Sequence, residues 1–263
     1  MIQGVATAKE IPMVTALDGE VEQMLSQRRP NRLGLMLYGS VARGTADSGS
    51  DIDVLELVRG PAGTYELGNA NVTQYNVSHL RSLAEQGSLF VLHLRTDGIL
   101  LSDPTSVLQR TLNAYVQPAA YGHLWRQIED ASVALDPAAA DFSAHVSSLA
   151  RLGIYLLRTS VYLRTIESGE PTFDLGMIKW LKARPDLRNA LAMRRRSVFE
   201  PHDVEVLRQQ IGRFVGAVKT NPFPSIEALA VAQAARPDLT SLFSAVLLGD
   251  HGVDYSALTL PPF

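Results

Sequence analysis

Two short apolar runs limit what the first part of this chain can become. RLGLMLYG, residues 32–39, stops at a glycine and suits a buried strand, and SDIDVLELV, residues 50–58, alternates and reads as a second strand. Residues two apart on a strand point to the same face. Asp51 and Asp53 therefore project side by side, while Ile52 and Val54 enter the core. Two carboxylates that close repel each other unless a cation or a shared proton intervenes. Hard oxygen ligands at this spacing suit Mg²⁺, which takes one or two carboxylates and completes its shell with water and phosphate. The alternative is a solvent-facing strand edge on which the pair is simply hydrated.

The turn before the aspartates bears on that choice. Gly39 and Ser40 follow the first apolar run, and SVARG can open a helix. Glycine lets a backbone approach a ligand closely, free N–H groups at a helix start attract phosphate oxygens, and the Ser40 hydroxyl adds a donor. Joined to an acidic pair about ten residues later, the turn suits a site for a triphosphate and its metal. Arg43, one helical turn beyond Ser40, either reaches a phosphate with its guanidinium fork or faces solvent.

GSVARGTADSGSDIDVLEL resembles the signature of the DNA polymerase beta-like nucleotidyltransferase superfamily, especially its minimal bacterial branch. The resemblance is close over residues 33–58 and looser, by order of elements, over the rest of the first domain. It implies Gly39 and Ser40 as phosphate contacts and Asp51 and Asp53 as ligands to two Mg²⁺ ions. It further implies transfer of a nucleoside monophosphate from a triphosphate, ATP by preference, with release of pyrophosphate. Active members of the superfamily generally carry a third carboxylate on a later strand. The strand in that place is NVTQYNV, residues 71–77, which has no acid. Parity turns its Gln74 and Asn76 toward the metals, and an amide cannot serve as a general base. Glu56 has the opposite parity to the aspartates, and Asp97 and Asp103 are the other acids the fold could bring round.

The chain has 263 residues, 46% hydrophobic and 19% charged, enough for a substantial core in one large or two moderate domains. Its net charge of -3 gives no general attraction to nucleic acid. The absence of cysteine excludes disulfides, thiolate nucleophiles and cysteine-held metals. With neither a basic–apolar leader nor a membrane-length apolar run, the expectation is a cytoplasmic protein without a membrane partner.

Helical and strand-like segments alternate over residues 1–104, and residues 105–263 are helical in period, punctuated by prolines. The fold class expected is α+β: a small mixed-sheet nucleotidyltransferase domain, then an all-helical domain, with the active site in the cleft between them. In the helical part Arg151, Tyr155, Arg158 and Tyr162 form one stripe, available to stack on a base or simply half-buried. Arg194 to Arg196 either meet phosphates or cap a helix, and Arg196 with His202 has the spacing of an Arg-His nuclease motif interrupted by Pro201. A catalytic domain followed by a helical bundle resembles the antibiotic-modifying nucleotidyltransferases and favours a small-molecule hydroxyl as acceptor, with tRNA or protein as alternatives. The rival class is a non-catalytic nucleotide-binding or toxin–antitoxin-type regulator on the same fold. The C-terminal SALTLPPF reads as a tail.

Overall fold

The computed structural model describes residues 6–7, 18–27, 29–46 and 50–249; the C-terminal SALTLPPF lies outside them. The chain divides into two compact units after Pro118. In chain order the first contains β1 (Ala6–Thr7), α1 (Asp18–Ser26), β2 (Arg32–Tyr38), α2 (Gly39–Ala42), β3 (Ile52–Val58), β4 (Gly63–Leu67), β5 (Ala70–Asn76), α3 (Val77–Glu85), α4 (Leu89–Asp97), β6 (Ile99–Ser102) and α5 (Val107–Asn113). The strands form one mixed sheet in the order β1-β6-β2-β3-β5-β4. β3 is antiparallel to β2 and parallel to β5. The fold is α+β, with the small sheet first and helices after it.

Alternation along the strands decides which cover each face receives. Met36, Tyr38, Leu55, Leu57 and Tyr75 meet Leu80 and Leu83 of α3, Phe90 and Leu94 of α4, and Leu108 and Leu112 of α5. On the other face Leu35, Leu37, Ile52, Val54 and Val72 meet Met24 of α1 and Val41 of α2. Ile52 and Val54 are buried as their parity requires, at 2% and 0% exposure. The first unit runs to Pro118 rather than ending at residue 104, because α5 completes its core. Arg95 of α4 also donates to the Leu112 carbonyl, at 2.6 Å, and fixes the end of α5.

One charge lies within the sheet. Glu56 of β3 is fully buried on the α1 face. Arg32 Nε donates to its Oε1 at 2.6 Å, Gln74 Nε2 to Oε2 at 2.7 Å, and the Tyr65 hydroxyl to Oε2 at 3.2 Å. The same guanidinium donates through Nη1 to the Met24 carbonyl at 2.6 Å, which ties the end of α1 to the sheet. Burial alone would raise the Glu56 pKa. The bonds from Arg32 and Gln74 and the nearby guanidinium charges outweigh it and hold the carboxyl below the usual glutamate range.

The second unit comprises α6 (Gly122–Ser132), α7 (Val146–Glu167), α8 (Lys179–Lys182), α9 (Pro185–Ala192), α10 (Pro201–Val215), α11 (Ile226–Ala232) and α12 (Pro237–Leu248). α7 is its axis, with Leu149, Leu152, Leu156 and Leu163 all buried. A Cβ on Gly153 would lie 3.0 Å from that of Leu207, so this glycine permits the close crossing of α7 and α10. Among the described residues no helix is long and apolar enough to cross a membrane.

Removing one partner of a buried ion pair leaves the other uncompensated, so Arg32→Ala should cost about 3 kcal/mol in urea unfolding at neutral pH. Because the Glu56 pKa is lowered by folding, its contribution is complete above the ordinary value of 4.5 and is lost as pH falls through the folded value. The wild-type advantage over Arg32→Ala should therefore shrink in acid. A difference that does not vary with pH would contradict this account.

Candidate active site

The β2–β3 register brings the glycine turn to the acid. Tyr38 is the last residue of β2 and pairs with Asp53. The next residue, Gly39, therefore turns directly over the Asp53 side chain. Its φ is +77°, a conformation that costs other residues free energy. A Cβ at Gly39 would come within 3.2 Å of Asp53 Cγ and closer still to Oδ2. Glycine is thus required twice, for the backbone angle and for the space.

The turn closes on itself through α2. Arg43 N donates to Gly39 O at 3.2 Å, Gly44 N to Val41 O at 3.0 Å, and Thr45 N to Ser40 O at 2.9 Å. Val41 faces the core at 8% exposure, and Ser40 is half-buried. Asp53 lies in β3 and is half-buried, whereas Asp51 is exposed and sits just before the paired strand. The reading of both aspartates as strand residues is corrected by that one position.

Arg43 does not face open solvent. Its Nη1 donates to Asp97 Oδ2 of α4 at 2.8 Å and lies 3.1 Å from His93 Nε2, with the side chain mostly covered. Burial would raise the Asp97 pKa, but the contact with His93 and the Arg43 charge hold it below the usual aspartate range.

The row beside Asp53 is also different from the parity reading. Asp53 pairs with Asn71 of β5, and Asn71 pairs with Glu66 of β4. Cross-strand partners share a face, so Asn71 and Thr73 accompany Asp53 and Leu55, and Gln74 accompanies Glu56 on the opposite side. Asn76 is occupied as the N-cap of α3, its Oδ1 accepting from His79 N at 2.8 Å. Glu66 is the carboxylate in the Asp53 row, two strands away, a separation of roughly 10 Å between backbones. Among the described residues no group of three His, Cys, Asp or Glu side chains is placed to hold a metal. The other acids are committed as well. Glu56 is buried on the α1 face, Asp97 holds Arg43, and Asp103 accepts from Leu108 N and Gln109 N at the start of α5.

The donor set at the turn still fits a divalent cation. Asp51 and Asp53 supply hard oxygens, the exposed side of Asp51 leaves room for water and phosphate, and the glycine keeps the space above Asp53 clear of carbon. With two carboxylates, a second ion would have to share them.

In the helical unit the two tyrosines of the Arg–Tyr stripe belong to the core, whereas Arg151 and Arg194 to Arg196 are exposed. Tyr155 and Tyr162 are buried at 2% and 3% exposure, and the Tyr162 ring packs against Phe173. Arg196 Nη1 donates to Asp203 Oδ1 at 2.8 Å from outside α10, whose first turn contains His202, so the two do not share a helix face.

Residues 19–89 match the family model of the nucleotidyltransferase domain. Among solved structures, a nucleotidyltransferase-like protein from Exiguobacterium sibiricum 255-15 is similar at 12% identity, over 84% of this chain and 79% of that one, with a TM-score of 0.25. No curated protein matches.

The two demands on Gly39 can be separated by comparison with Gly44, which has φ +69° but open space around its Cα. Gly44→Ala should cost only the left-handed backbone strain, about 1–2 kcal/mol. Gly39→Ala should cost more in urea unfolding, because Asp53 must also move. Equal losses would mean that the contact between Gly39 and Asp53 is slack.

Proposed function

We propose that the segment 19–89, which matches the family model of the nucleotidyltransferase domain, binds a nucleoside triphosphate, ATP by preference, with Mg²⁺ at Asp51 and Asp53 and moves the nucleoside monophosphate to an acceptor hydroxyl. The observation that carries this reading is the pairing of Tyr38 with Asp53, which sets the Gly39–Ser40 turn against a carboxylate. In the transfer the acceptor oxygen bonds to the α-phosphorus, the bond to the bridging oxygen breaks, and pyrophosphate leaves with the electron pair. When bound, the cation would neutralise phosphate charge and lower the pKa of an oxygen it holds. Asp51 and Asp53 would be its protein ligands. The Gly39 and Ser40 backbone and the Ser40 hydroxyl would hold phosphate oxygens.

Among the described residues, β5 offers no acceptor for the hydroxyl proton. Asn71 and Thr73 occupy the places beside Asp53 and Leu55, and neither accepts a proton near neutral pH. In this reading the proton passes to water, which favours acceptors with an acidic hydroxyl. A small-molecule acceptor is preferred from the order of a sheet domain followed by a helical unit, a fold-level analogy. The same amide and hydroxyl at β5 support a second reading, a protein that binds nucleotide without turning it over.

Titration calorimetry of ATP with Mg²⁺, alongside pyrophosphate release over pooled hydroxyl acceptors, separates these readings. Asp51→Ala/Asp53→Ala should weaken metal-dependent binding more than tenfold, a loss of about 1.4 kcal/mol or greater. Acceptor-dependent pyrophosphate supports transfer, and binding without pyrophosphate supports the second reading. Wild-type protein that binds no nucleotide would refute both.

A further inference from the structure

One stripe of α4 grips both ends of the Gly39–Ser40 turn. Phe90, His93 and Asp97 recur at i, i+3 and i+7, so they lie along one side of that helix. Tyr38, the residue entering the turn, has its ring edge-on to Phe90 at 5.7 Å and to His93 at 5.9 Å. Arg43, the residue leaving it, is ion-paired with Asp97 at 2.8 Å and lies 3.1 Å from His93. His93 Nε2 is also 3.3 Å from Asp97 Oδ2, so a single imidazole meets Tyr38, Arg43 and Asp97.

The chain path explains the placement. α4 stops at Gly98, whose N–H returns to Leu94 O at 2.9 Å, and the next residue, Ile99, pairs with Leu37 of β2. The end of α4 is thereby delivered beside the end of β2, where the turn begins. A Cβ at Gly98 would strike Leu94 O and Met36 Sδ, so the handover is tight.

A four-residue helix cannot hold its own shape. α2 has too few residues for its hydrogen bonds to repay the cost of nucleation. We infer that His93 and Asp97 are positioning residues, acting through Tyr38 and Arg43 to fix the turn that would receive the triphosphate. This deepens the nucleotide reading and rests on it. The clamp itself is a mechanical property that can be measured without ligand. Arg43 is then held from behind by α4, and its charge stays beside the turn as a fixed positive field rather than a mobile phosphate ligand. Its Nε is buried without a hydrogen-bond partner, a cost consistent with the position being set by the ion pair.

Two readouts test this on the full chain. The first is amide hydrogen exchange at Arg43, Gly44 and Thr45, whose N–H groups close the turn. Asp97→Asn and His93→Gln should each speed exchange there by about tenfold while the α7 amides are unaffected. The second is a double-mutant cycle on the affinity for ATP with Mg²⁺. Asp97→Asn should weaken binding by about fivefold in the wild-type background and have no further effect in Arg43→Ala, because the two act as one unit. Asp97→Glu should recover part of the loss. If neither variant changes exchange in the turn, the clamp is overturned, whatever the affinity. If turn exchange rises but affinity in a nucleotide-binding wild type does not change, the clamp is real but positions nothing, and the inference is likewise overturned. Should the wild type bind no nucleotide, the failure is that of the nucleotide reading and takes the positioning role with it, while the exchange result still decides the clamp.

Discussion

The pairing of β2 with β3 is the constraint on which the rest depends. With Tyr38 opposite Asp53, the glycine turn that follows β2 is forced over a carboxylate. A slip of one residue would send every β3 side chain to the other face. Asp53 would leave the turn, and Glu56 would be driven among Tyr75, Leu80 and Phe90 instead of meeting Arg32. The buried Glu56 therefore penalises the wrong register strongly, since a carboxylate inserted there would find no guanidinium. A charge on the α1 face thus protects the geometry of a site on the opposite face.

Among the described residues of the first unit, three acids that could have served the site are engaged elsewhere. Glu56, Asp97 and Asp103 are consumed by guanidinium groups or by backbone N–H groups at a helix start. Each fixes an element of the sheet or its cover: Glu56 holds α1 through Arg32, Asp97 holds the end of α2 through Arg43, and Asp103 holds the start of α5. Among the described residues, Asp51 and Asp53 are the carboxylates at the turn itself. These engagements explain why Glu56, Asp97 and Asp103 do not replace the acid lacking on β5. Their oxygens are already committed to guanidinium or backbone N–H groups.

Much of this architecture was legible in the sequence. The strands at 32–38, 52–58 and 70–76 announce themselves by apolar alternation stopped at glycine or at a cap. β4 was not recognised, because GTYEL is an edge strand with one polar face, although Gly68-Asn69 between it and β5 is a hairpin signal. In the helical half some prolines do more than punctuate: Pro185 and Pro237 each open a helix, α9 and α12, where a missing N–H costs nothing. At the site, spacing together with the family resemblance singles out Gly39, Ser40, Asp51 and Asp53, and the β2–β3 register brings Gly39 against Asp53. Parity failed for Gln74 and Asn76 because the apolar side of β5 was assumed to face away from the turn. Tyr75 and Asp53 in fact share a face, apolar where α3 and α4 cover it and polar at its end. The partners of Arg43 lie 50 and 54 residues further along, a distance that no local pattern spans.

The most direct test of the central claim is a crystal structure with Mn²⁺ in place of Mg²⁺ and a non-hydrolysable ATP analogue, recorded at a wavelength that reveals manganese by anomalous scattering. The account predicts an anomalous peak bonded to Asp51 and Asp53, with phosphate oxygens against the Gly39 and Ser40 N–H groups. Nucleotide or manganese bound elsewhere, with the Gly39–Asp53 contact unchanged and the turn empty, would contradict it.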